Sequence, residues 1–299
     1  MFSTLIAPQQ LASLLDQSRT VHLFDCSYDL AAPGAGREQY LDSHIPGAQY
    51  ADLHDDLSAS TGAAAASGGR HPLPDRAAFA MWLAQKGVRA GEQVVVYDRQ
   101  NSAFGPRLWW MSKWCGHEAC AVLDGGLAGW LAQGGALASG PTEEAPRGDF
   151  TLSAPLAALH TLEKVKSGLG TAGQKLLDAR AEARFSGLTE PLDPVAGHIP
   201  GARNRPFGDN LQPDGHFKPA AQLREEFLAA LGYQVRHAPT HEIACPQGVV
   251  HYCGSGVTAA VNLLAMEVAG LGRQSLFAGS WSEWSRQPET AKARGIRAT

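Results

Sequence analysis

Cysteine is scarce in this chain: five residues in 299, an odd number and widely spread. That excludes the disulfide framework of a small secreted domain. No Cys-x-x-Cys pair or Cys/His cluster has the spacing of a zinc site. Positive charge is not in surplus either, with 25 Lys and Arg against 29 Asp and Glu and a formal net charge of −4. The electrostatic footprint for nucleic acid or an acidic membrane surface is therefore missing. No apolar run approaches the length that spans a bilayer. Residues 1–6 show neither the basic start nor the cleavage pattern of a secretory signal. The expectation is a globular protein of the reducing cytoplasm, where a thiol stays a thiol.

What is present centres on Val249-Val250-His251-Tyr252-Cys253-Gly254-Ser255-Gly256-Val257-Thr258. An apolar run ends in cysteine, two glycines flank a serine, and residues 259–269 follow with helical period. That order reads as buried strand, tight loop and helix N-terminus. Glycines let the loop turn its N–H groups inward, and the helix start adds unpaired donors and partial positive charge. Such surroundings favour the thiolate, the nucleophilic form of cysteine, and would cradle an anionic group carried on the sulfur. A cysteine at a strand end is commonly just a small buried hydrophobe. The loop around Cys253 makes it the candidate nucleophile.

The chain also says nearly the same thing twice. His44-Ile45-Pro46-Gly47-Ala48 recurs as His198-Ile199-Pro200-Gly201-Ala202, 154 positions later. Leu23-Phe24-Asp25 answers Leu176-Leu177-Asp178, and Val94-Val95-Val96-Tyr97-Asp98 answers the strand ending in Cys253. Asp124-Gly125-Gly126-Leu127-Ala128-Gly129-Trp130 answers Ala278-Gly279-Ser280-Trp281-Ser282-Glu283-Trp284. Four landmarks in one order and register imply a tandem duplication. Within the first copy, residues 21–25, 94–98 and 119–123 read as strands and 76–85 and 105–115 as helices. Such alternation predicts an α/β fold, each copy a mainly parallel sheet flanked by helices, with ligands at the carboxyl ends of the strands. The boundaries read as 1–138 for the first domain, 139–155 for a Gly/Pro-rich linker and 156–299 for the second. Residues 58–69, almost all Ser, Ala, Thr and Gly, read as a mobile surface loop, and the polar tail after Trp284 reads as wrapping or fraying. Where the second copy has Cys253, the first has Asp98, so the first domain is expected to be catalytically silent.

These motifs together resemble the two-domain rhodanese-like sulfurtransferases over nearly the full length. The loop from Cys253 to Thr258 is similar to that of the members that use 3-mercaptopyruvate; members that use thiosulfate typically carry basic residues after the cysteine. The resemblance implies sulfur transfer through a Cys253 persulfide, from a small-molecule donor to a thiophilic acceptor such as cyanide, a small thiol or a thioredoxin-like protein. It implies no metal and no organic cofactor. Loop N–H groups of Gly254, Ser255, Gly256, Val257 and Thr258 would hold the thiolate and persulfide. Arg184, before Phe185, would grip the donor carboxylate or sulfonate. Asp178 and Arg180 would fix the loop from beneath. Ser255 would bond the donor or relay a proton, and His71 matches a histidine that reaches the interdomain cleft. The family's nearby aspartate falls at His54 or Asp55. His44 and His198 are expected to be structural, and Trp109, Trp110, Trp281 and Trp284 core.

One departure concerns the donor. A second arginine that typically follows the Arg-Phe segment is missing from residues 189–195, so the donor carboxylate is expected to lose one clamp. Two rival readings share the Cys253 loop. A phosphatase would need an arginine closing the loop, where positions 259 and 260 are both Ala. A persulfide carrier would deliver sulfur to one protein partner without multiple turnovers, and a thiosulfate-using enzyme is the alternative within the family.

Overall fold

The computed structural model describes all residues except Ser18, Glu144, 235–242 and 296–299. One linker position and the end of the polar tail thus lie outside the described residues. The chain divides into two compact units. The first comprises Met1–Ala66, Leu73–Leu156 and Leu211–Phe217; the second comprises Ser67–Pro72, Ala157–Asn210 and Lys218–Thr299. Residues 67–72, with Arg70 and His71, therefore pack within the second unit.

In the first unit, β1 (Leu5–Ile6), β2 (Val21–Asp25), β3 (Gln49–Tyr50), β4 (Gln93–Tyr97) and β5 (Cys120–Leu123) form one parallel sheet in the order β1-β5-β4-β2-β3. Helices α1 (Pro8–Asp16), α2 (Ala35–Asp42), α3 (Arg76–Gln85), α4 (Gly105–Trp114) and α5 (Gly126–Ala132) connect and flank it. The consecutive apolar run of β4 is explained by its central place, where Val94, Val95, Val96 and Tyr97 are all fully buried. The ends of β4, α4 and β5 differ from the sequence expectation by a single residue, within the usual fraying of element ends.

The second unit repeats the plan. Strands β6 (Ala158–Leu159), β7 (Lys175–Asp178), β8 (Arg203–Asn204), β9 (Val249–Tyr252) and β10 (Ser275–Leu276) pair in parallel in the order β6-β10-β9-β7-β8. Its helices are α6 (Leu162–Gly168), α7 (Glu182–Phe185), α8 (Ala220–Ala230), α9 (Ala259–Val268) and α10 (Ser280–Trp284). The chain leaves β7 toward β8 on one side and β9 toward β10 on the other. The carboxyl ends of β7 and β9 therefore flank a topological switch point, where open α/β sheets bind their ligands. Asp178 and Cys253 stand at those ends.

The duplicated boxes brace each sheet in the same way. The Ile45 N–H donates to Tyr97 Oη at 3.1 Å, and the Ile199 N–H to Tyr252 Oη at 3.2 Å. His44 Nδ1 lies 2.8 Å from the Tyr40 carbonyl, and His198 Nδ1 2.8 Å from that of Phe185. Both imidazoles are buried and stacked on the ring of the residue whose carbonyl they bond. They are structural struts. Trp109, Trp110, Trp281 and Trp284 are likewise buried core.

Candidate active site

Cys253 leaves the end of central strand β9 with only 2% of its surface exposed. Its N–H donates to Ser280 Oγ at 3.0 Å, and its carbonyl accepts from the Trp281 N–H at 3.0 Å. The Gly254 carbonyl accepts from the Ser282 N–H at 2.8 Å. The start of α10 thus grips the loop by its backbone. Gly256 holds a positive φ of 75°, and a side chain there would collide with the Ala278 carbonyl. Among the described residues, no acceptor takes the N–H groups of Gly254, Ser255, Val257 or Thr258. The first three of these residues are buried, and buried N–H groups without partners are rare. Val257 and Thr258 offer their carbonyls to the first turn of α9.

The equivalent loop of the first unit is closed by its own side chain. Asp98 Oδ1 accepts from the N–H groups of Gln100 and Ser102, both at 2.9 Å. Asp98 Oδ2 accepts from Phe104 and Gly105 at 2.9 and 2.8 Å. Burial pushes this carboxyl up from the usual range, and the N–H bonds draw it back.

Two arginines converge on Gly254. A methyl group on that glycine would stand 3.1 Å from Arg70 Nη2 and 3.3 Å from Arg184 Nη1. Arg184, on α7, uses Nη2 for Glu190 at 2.7 Å and for Asp193 at 3.4 Å, which leaves Nη1 turned toward the loop. Arg70 pairs with the other oxygen of Asp193 through Nη1 and turns Nη2 to the same glycine. Both carboxylate partners are buried, while the guanidiniums are about one-fifth exposed. Arg70 was missed by the sequence reading, which expected the donor clamp to be short of one arginine. Residues 189–195 carry counter-ions instead, and the second cation arrives from a segment more than a hundred positions earlier. Its only signal was its place beside His71.

The other singled-out residues fall as follows. His71 Nδ1 and Ser255 Oγ lie 2.8 Å apart, the donor depending on the imidazole tautomer. Arg180 bonds both oxygens of Asp178, Glu190 and the Gly197 carbonyl, and its guanidinium lies 5.0 Å from the Trp281 ring centroid. Those bonds tie the end of β7 to the segment 190–197. His54 and Asp55 belong to the first unit, where both of their N–H groups donate to Asp52 Oδ1. Burial pushes the Cys115 thiol up to about 11, that of Cys120 to about 12 and that of Cys26 well above its ordinary value. Those three are kept as inert thiols, and Cys245 is exposed. Among the described residues no group of three His, Cys, Asp or Glu side chains could hold a metal ion, and no helix is long and apolar enough to cross a membrane.

Comparison with known proteins bears on this geometry. The model of the rhodanese-like domain matches residues 7–133 and again 161–287. The "Probable 3-mercaptopyruvate sulfurtransferase" of Pseudomonas aeruginosa is 45% identical, over 97% of this chain and 98% of that one. The thiosulfate sulfurtransferase of Mus musculus is 30% identical, over 99% and 97%. A crystal structure of SseA from Escherichia coli, described among the 3-mercaptopyruvate sulfotransferases, is 29% identical with a TM-score of 0.76, covering 94% of this chain and all of that one.

Proposed function

The chain belongs to the rhodanese-like sulfurtransferases, carrying their domain twice, and on that footing we propose that its donor is 3-mercaptopyruvate and its nucleophile Cys253. The observation that carries this reading is the pair of guanidiniums, Arg70 and Arg184, turned on the glycine next to the thiol. Two planar cations at that spot suit a carboxylate.

The chemistry follows from the groups present. The Cys253 thiolate attacks the donor sulfur, an S–S bond forms as the donor C–S bond breaks, and the electron pair leaves on carbon as the enolate of pyruvate. Ser255, bonded to His71, is the group that we assign to carry the S–H proton of the donor to the enolate carbon, which leaves the persulfide as an anion. The N–H groups of Gly254, Ser255, Val257 and Thr258 hold the persulfide, an anion on the sulfur of Cys253. A thiol or cyanide then attacks the outer sulfur and regenerates the thiolate, which makes the cycle ping-pong. Asp98 takes no part in this chemistry, because a carboxylate cannot serve as the thiolate nucleophile; of residues 1–138, the segment 67–72 with Arg70 and His71 belongs to the second unit and to its site. A reducing compartment such as the cytoplasm keeps the thiol available between cycles.

The test is steady-state sulfur transfer to cyanide, comparing kcat/KM for 3-mercaptopyruvate and thiosulfate. Mercaptopyruvate should be preferred, and Arg70→Ala or Arg184→Ala should each raise its KM by about tenfold, as expected for one charge-assisted bond. A preference for thiosulfate would transfer the clamp to a sulfonate. No turnover with either donor would leave Cys253 as a carrier for a protein partner.

A further inference from the structure

The closing segment Ser280–Trp284 reads from sequence as a structural motif, and half of it is. The Trp281 N–H to Cys253 carbonyl bond of 3.0 Å has its twin in the first unit, from the Leu127 N–H to the Asp98 carbonyl at 3.1 Å. That bond fixes the alignment of the two copies at this point: Ser280 answers Gly126, Ser282 answers Ala128 and Glu283 answers Gly129. The copy with the cysteine has three polar side chains where the copy with the aspartate has none.

Two of those side chains hold the segment that carries Arg70 and His71. Ser282 Oγ accepts the Arg70 N–H at 3.0 Å. The Glu283 carboxylate lies against Gly68, where a methyl group would meet its Oε1. The backbones meet without side chains between them: a methyl on Gly69 would stand 2.6 Å from both the Gly279 carbonyl and Ser282 Oγ, and one on Gly68 or Gly279 would collide with Glu283. The same turn of α10 bonds the backbone of Cys253 and Gly254 on its other side. One short element thus holds both the nucleophile and the segment that brings a cation to it. We propose that Ser282 and Glu283 are positioning residues, which set Arg70 and His71 against the Cys253 loop and so determine how strongly the site attracts an anionic reagent. This rests on the reading of Arg70 as a donor anchor.

The test needs no sulfur donor. Rates of alkylation at Cys253, resolved by peptide mass spectrometry, are measured with anionic iodoacetate and neutral iodoacetamide. The ratio of the two rates reports the pull of the guanidiniums on an anion. Ser282→Ala combined with Glu283→Ala should lower that ratio by about fivefold, the scale of one positioned hydrogen bond, and Arg70→Ala should lower it at least as far. Glu283→Gln should leave it unchanged, since the amide has the shape to keep the same packing against Gly68. The KM for mercaptopyruvate should rise in step. The inference is overturned if the double variant melts earlier yet keeps the wild-type ratio, if both reagents slow equally, or if Arg70→Ala leaves the ratio untouched. Should the wild type take no sulfur from mercaptopyruvate, the donor assignment fails and the alkylation ratio still decides this point.

Discussion

Strands β4 and β9 end alike and then part company. After β4, the carboxylate of Asp98 takes four backbone N–H groups from its own loop. After β9, Cys253 occupies the corresponding position, and four N–H groups of its loop find no acceptor among the described residues. The first copy is a cradle with a permanent occupant. The second has the cradle and a side chain able to acquire a negative group by chemistry. Position 280 sharpens the contrast. Ser280 sits at φ 56° and its counterpart Gly126 at φ 55°. An L-residue there costs about 1–2 kcal/mol more than glycine. The second copy bears that strain and gains a hydroxyl on the Cys253 N–H. Duplication has left a control experiment inside the chain.

The comparison breaks most severely at Cys253. Cys253→Ser should lower kcat/KM by more than about a thousandfold, the scale of losing a nucleophile, and retained transfer would overturn the assignment. Cys253→Asp, which copies the first unit, should be equally dead yet melt no earlier than wild type, because its carboxylate supplies an acceptor to the loop. An early-melting Cys253→Asp protein would show that the two loops are not equivalent.

The reverse substitution should separate stability from activity. Asp98→Ala removes the acceptor of four N–H groups, three of them buried, and should cost about 2–4 kcal/mol in chemical denaturation. Sulfur transfer at temperatures where the variant is folded should change little. A loss of activity approaching that of Cys253→Ser would show that the first copy is not silent.

The smallest effect concerns the residue before Tyr252. His251 is fully buried where the first unit has Val96, and burial pushes its imidazole down to about 3. Its folded value lies below the unfolded value of about 6.5. The stability that depends on its neutral form is therefore intact above pH 6.5 and lost as pH falls toward 3, at about 1.4 kcal/mol per pH unit. His251→Val should flatten that part of a stability curve measured by denaturant melts between pH 7 and 4. An unchanged slope would assign the acid loss to other groups.

The parts that the sequence made legible are those governed by near neighbours. The apolar run of β4, the glycines around Ser255 and the paired His-Ile-Pro-Gly-Ala boxes each declare a local structure, and their repetition declares the duplication. Arg70 and Ser282 stayed hidden because their meaning depends on an encounter across 212 positions. Residues 58–69 read as a mobile surface loop, yet Gly68 and Gly69 at their end are closely packed against α10. Small residues there are required by the approach of two backbones, and composition alone does not distinguish that from slack. The absence of an arginine from residues 189–195 was read correctly and understood only in part, since Glu190 and Asp193 are what hold the two cations in place.

Those carboxylates have a consequence for how a donor finds the site. Arg70, Arg180 and Arg184 are matched by Asp178, Glu190 and Asp193, charge for charge. From a distance of a Debye length or more, such a cluster is close to neutral. It exerts little pull on an approaching anion and presents its positive face only at contact. The site discriminates at the door rather than drawing from afar, and ordinary changes in ionic strength leave the rate of encounter nearly untouched.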